Sequence, residues 1–97
     1  MNDNLVWLDE IDWLWESIKP VYYDSTLTYG DNCFVIKVMH GEWCEVRNDF
    51  IRYGCQITFK EPTHFKTIEK TVQDMTDAIT QLIEEEHTKK EEITNAQ

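Results

Sequence analysis

Between Ile51 and Phe59 the chain alternates without a break. Ile51, Tyr53, Cys55, Ile57 and Phe59 fall on one side of an extended backbone, and Arg52, Gly54, Gln56 and Thr58 on the other. A strand of this pattern belongs to a sheet that buries one face and leaves the other open. Whatever covers the buried face must itself be amphipathic, and the segments on either side of the strand region supply two candidates.

The first is "WLDEIDWLWESIKP", residues 7–20, where Trp7, Leu8, Ile11, Leu14, Trp15 and Ile18 mark one helical stripe. Asp3 or Asn4 is the expected N-cap and Pro20 the stop. At about 100° per residue, Trp13 leaves that stripe and projects near Val6, Asp9, Glu10 and Glu16. The second candidate follows Glu61-Pro62, with Thr63 as the expected cap. Its apolar residues Phe65, Ile68, Val72, Met75, Ile79 and Leu82 are spaced at steps of three and four. Packing on the sheet is the expected use. The same spacing offers a candidate dimer seam of Ile68, Val72, Met75, Ile79 and Leu82, over less than three heptads. Glu85 and Glu86 stand four residues before Lys89 and Lys90, which extends the helix before a tail expected to fray.

From Val21 to Lys60 the period is two, with β-branched and aromatic residues dominant. Four strands are predicted, "VYYDSTLTY", "CFVIKVM", "EWCEVR" and "IRYGCQITF", joined at "GDN", at His40-Gly41 and at "NDF". The expected fold is α+β: an N-terminal helix, a four-stranded antiparallel meander, and a long C-terminal helix on one sheet face. A single domain over residues 1–87 and a charged, frayed or disordered tail over 88–97 complete the expectation, since 97 residues make one small core.

Nineteen acids against nine Lys and Arg give a formal net charge of −10. Residues 1–20 hold five acids and one base, residues 21–60 five and four, and residues 61–97 nine and four, so the surplus sits at the two ends. A nearly neutral middle between acidic ends suggests a sheet between two acidic helices. Such a field repels phosphate backbones and anionic membranes and attracts basic protein surfaces. Direct nucleic-acid binding is therefore not expected, and no apolar run approaches the roughly 18 residues of a membrane-spanning helix. Three cysteines without CxxC spacing and an acidic "MNDN" start point to a reducing, cytoplasmic setting.

Chemistry-bearing residues are few. His40 and Cys44 would flank the expected hairpin as a minimal base and nucleophile, but no third orienting residue or Gly-rich loop accompanies them. Cys33, His40, Cys44 and Cys55 lack the spacing of a structural zinc site. Carboxylates in the first turns of a helix are explained by its dipole. No enzyme activity, metal or cofactor is expected. The candidate partner-binding residues are Asp9, Glu10, Asp12, Trp13 and Glu16, an indole among acids; the indole either lies against the strand aromatics Tyr22, Tyr23 or Tyr29, or anchors a partner's pocket rimmed by Lys and Arg.

In profile, a short, strongly acidic α+β chain resembles two groups: phage-encoded inhibitors that imitate DNA, including some anti-CRISPR proteins, and immunity proteins that neutralise nuclease toxins. That resemblance implies a cytoplasmic inhibitor, in the host cytoplasm if phage-encoded, whose carboxylates stand in for phosphates. The alternative is a small homo-oligomeric adaptor that dimerises through the C-terminal helix.

Overall fold

The computed structural model describes the backbone of residues 4–95 and the side chains of residues 4–88. Its elements are β1 (Leu5–Val6), α1 (Leu8–Ile18), β2 (Asp24–Gly30), β3 (Cys33–Cys44), β4 (Asp49–Phe59), β5 (Thr63–His64) and α2 (Phe65–Asn95). The fold is α+β with antiparallel sheets. In place of the expected four-stranded meander there is a three-stranded sheet, ordered β2-β3-β4, and a separate β1-β5 pair.

The missing turn explains the difference. His40 and Gly41 do not reverse the chain but lie within β3, opposite Tyr53 and Arg52 of β4. Glycine is needed at position 41 for a close approach: a Cβ there would stand 2.6 Å from the Phe50 ring and 3.0 Å from the Ile51 carbonyl. The reversals fall at Asp31-Asn32 and at Glu45–Asn48, where Asn32 (φ 55°) and Asn48 (φ 54°) take the left-handed conformation that asparagine tolerates.

Helix α1 has 11 residues and starts later than expected. Its N-cap is Trp7, whose carbonyl accepts from the N–H groups of Glu10 and Ile11 at 2.9 Å. The Glu10 carboxylate reaches back to the Trp7 N–H at 3.3 Å. Asn4 is unavailable as a cap because β1 pairs with β5, Leu5 with His64 and Val6 with Thr63, and the Asn4 carbonyl accepts from the Phe65 N–H at 2.8 Å. Asp3, the other expected cap, lies outside the described residues. Thr63, expected to cap α2, is likewise a strand residue, and its hydroxyl donates to the Glu61 carbonyl at 3.0 Å.

Helix α2 lies across β3 and β4 on one sheet face. Phe34, Ile36 and Val38 of β3 and Ile51 and Phe59 of β4 meet Ile68, Val72, Met75, Ile79 and Ile83 in one buried cluster. At the end near α1, Phe34 stacks on Phe59 at 4.8 Å and meets the Trp7 ring at 5.9 Å. Four of the five residues of the candidate dimer seam, Ile68, Val72, Met75 and Ile79, are thus spent in the core. The fifth, Leu82, is 38% exposed and Ile83 is buried instead. The stripe follows the 3.6-residue helical period rather than a heptad. At 31 residues, α2 is about 46 Å long, which accounts for most of the 54 Å longest dimension. It runs through the boundary expected at residues 87–88; the side chains of residues 89–97 lie outside the described residues.

Because Ile79 is enclosed and Leu82 is not, Ile79→Ala should cost about 2–5 kcal/mol and Leu82→Ala less than about 1 kcal/mol. Urea unfolding of the two variants reads the difference directly; equal losses would restore the heptad seam.

Candidate functional site

Trp13, the indole that left the helical stripe, is 71% exposed. It edges an open hollow of about 340 Å³ lined by Asn4, Leu5, Val6, Glu10 and Leu14. Leu5 is also exposed, held there because β1 turns Val6 inward. The surface therefore joins an exposed indole and an exposed aliphatic side chain to the acidic flank of α1.

The carboxylates around it are not equivalent. Glu10 caps its own helix at Trp7. Asp12 stands against Tyr29 at the end of β2; burial raises the Tyr29 phenol above its ordinary range, and a hydrogen bond to Asp12 and the charges of Asp12 and Asp9 push the same way. Glu16 pairs with Lys19 at 3.0 Å, an exposed pair of the kind worth about 0–1 kcal/mol. Asp9, Trp13 and Glu16, at positions i, i+4 and i+7, share one outward stripe of α1. Of the five expected partner-binding residues, Asp9, Trp13 and Glu16 share the exposed stripe, while Glu10 caps its helix and Asp12 stands against Tyr29.

Sequence reasoning missed a second exposed apolar feature, Val21 and Tyr22, the latter 86% exposed. They follow Pro20, just past the end of α1 at Ile18, between two hollows of about 480 and 400 Å³ that share Lys19, Pro20, Val21 and Tyr23. The alternation had placed them in a strand, but β2 begins only at Asp24.

It also missed a polar cluster at the far end of the α2–sheet interface. Glu86 is 9% exposed and its carboxylate accepts from the Arg47 guanidinium and the Tyr53 hydroxyl, both at 2.8 Å. Glu42 receives His87 at 3.0 Å on one oxygen and faces His40 at 3.2 Å on the other. Tyr23 stacks on His40 at 4.4 Å and hydrogen-bonds Thr80 of α2. These contacts connect α2 to β3, to β4 and to Tyr23 just ahead of β2. The available signal was positional: Glu86 continues the buried steps Ile79, Ile83, although "EEE" reads as a solvated run.

The residues weighed for catalysis and metal binding do not converge. Cys44 is buried and its thiol donates to the Glu86 carbonyl at 3.6 Å, while His40 is taken up by Glu42 and Tyr23. Cys33 lies on the open sheet face beside Gly30, whereas Cys44 and Cys55 are on the covered face, opposite Asp49 and Val38. Among the described residues no group of three His, Cys, Asp or Glu could hold a metal ion, and no helix is long and apolar enough to cross a membrane.

Compared with protein-family models, with curated proteins and with solved structures, the chain matches none.

The hydrogen bond from His87 holds the Glu42 carboxyl below its usual range; burial opposes this and His40 adds to it. A carboxyl whose pKa is depressed on folding contributes stability above its unfolded value of 4.5, and that contribution is lost as pH falls through the folded value. Glu42→Gln should therefore be less stable than the parent at pH 7, with the gap closing as pH drops below 4.5. Urea midpoints at pH 7 and pH 4 test this; a gap independent of pH would contradict it.

Proposed function

We propose that this chain is a non-enzymatic inhibitor that binds a basic, nucleic-acid-acting protein through the α1 surface around Trp13. The single observation that carries the reading is Trp13 itself: a large indole left in solvent at the centre of an acidic stripe, in a chain of net charge −10. Exposed aromatic residues are the usual anchors of protein interfaces, and they act best where a surrounding rim excludes water. Here the rim is anionic. Asp9 and Glu16 offer carboxylates where a duplex would offer phosphates, and the overall charge speeds encounter with a cationic cleft. Exchanging Lys19 for a partner's Arg at Glu16 sacrifices only a weak exposed pair. Binding occupies the cleft and excludes nucleic acid from it, which requires no chemistry of the inhibitor. The setting that suits this role is the cytoplasm.

Trp13→Ala should weaken capture of that partner by at least about 30-fold, the scale of a hot-spot residue worth about 2 kcal/mol. The measurement is affinity capture from lysate of the native source with the parent, Trp13→Ala and Asp9→Lys/Glu16→Lys chains, with duplex DNA or structured RNA as competitor. The expected result is a nucleic-acid-acting protein held by the parent, released by competitor and by salt, and lost with both variants. A captured protein indifferent to competitor and to Trp13 would contradict the proposal.

A further inference from the structure

The face of the β2-β3-β4 sheet turned away from α2 has a character opposite to that of α1. Trp43 and Phe50, 55% and 56% exposed, lie opposite each other in the β3–β4 register. Further along, Met39 lies across Gly54, where a Cβ would stand 3.0 Å from the Met39 Cγ. Two residues from Met39 on either side, the ladder carries Lys37, opposite Gln56, and Arg52, opposite Gly41. Lys19, Arg47 and Lys70 all make ion pairs, whereas Lys37 and Arg52 are exposed cations that pair with no acid among the described residues.

We propose that this open face docks helix α1 of a second copy of the chain, with Trp13 on Met39 and the Asp9 and Glu16 carboxylates on the two flanking cations. The spacings agree. Lys37 and Arg52 are four ladder rows apart, about 13 Å. Asp9 and Glu16 are seven helical residues apart, about 10 Å, with Trp13 between them. Long acidic and basic side chains bridge the difference. Asp24 borders Met39 on the β2 side, so the incoming acidic helix is steered over β3 and β4. Two chains of charge −10 repel as wholes, but at physiological salt the Debye length is about 8 Å and the facing patches decide the contact. Joining unlike surfaces makes the contact heterologous, so copies add head to tail. The contact uses the Trp13 surface assigned above to a partner but is read on the purified chain alone, so either proposal can fail without the other.

The test is sedimentation equilibrium of the purified chain at about 0.1–0.15 M salt, where the Debye length is about 8–10 Å, over rising concentration. Average mass should grow past that of a dimer. Trp13→Ala/Asp9→Lys disables the helix surface and Lys37→Glu/Arg52→Glu disables the sheet surface; each alone should weaken association at least tenfold. Mixed one to one, the two variants should form a dimer that grows no further, because one intact contact remains. Circular dichroism verifies folding, and Lys37→Gln/Arg52→Gln replaces the charge reversal if that variant misfolds. Monomers at every concentration would overturn the proposal. So would association that survives in the helix variant but is lost in the sheet variant, since that describes two sheets face to face. Tight binding of an oligothymidylate probe that depends on Lys37 and Arg52, without self-association, would assign the face to single-stranded nucleic acid instead.

Discussion

Everything in this fold depends on one apolar stripe, that of α2, lying along one face of three strands. Ile68, Val72, Met75, Ile79 and Ile83 are buried against Phe34, Ile36, Val38 and Ile51, and burial of such side chains contributes about 1.5–3 kcal/mol each. A chain of 97 residues has little apolar matter left once this layer is built. Helix α1 closes one end with Trp7, Ile11 and Ile18, and the β1-β5 pair fastens the two terminal segments beside it. One sheet face is left uncovered as a direct consequence.

The other end of the layer is held by polar contacts. A buried carboxylate is tolerable only with donors at hand, and Glu86 has Arg47 from the β3–β4 turn and Tyr53 from β4. Directional contacts of this kind fix the sliding position of a long helix over a sheet, which apolar contacts alone leave loosely determined. Glu42, between His40 and His87, adds a second such fastening at the next residue of α2.

What was legible in the sequence was whatever repeats. The stripe of α1 and the alternation of β4 follow from a period and are found where the period placed them; the period set Trp13 off the stripe, but only the structure shows that no strand tyrosine covers it. What was not legible depended on a partner distant in sequence. Leu5–Val6 and Thr63–His64 are too short to show a pattern and exist as strands only because they meet. Gly41 reads as a turn until Phe50 is seen against it, and Glu86 reads as solvated until Arg47 and Tyr53 arrive from 39 and 33 residues away. Leu82 and Ile83 differ by the small drift between a heptad and a true helical turn, which accumulates over five turns. Of the candidate site, Trp13 and its stripe with Asp9 and Glu16 were legible; the local commitments of Glu10 and Asp12 were not.

The functional reading turns on a single physical condition, that an indole stands in water within a negative field. Caesium and iodide quench tryptophan fluorescence only on collision, and their opposite charges report the sign of the field around the ring. With each ion scaled to its quenching of free tryptophan, caesium should quench the parent chain more strongly than it quenches Trp13→Phe, whose remaining emission comes from Trp7, Trp15 and the open-face Trp43. Caesium quenching undiminished in Trp13→Phe, or an indole at position 13 reached equally by both ions, would contradict an acidic, exposed anchor and remove the basis for a basic partner.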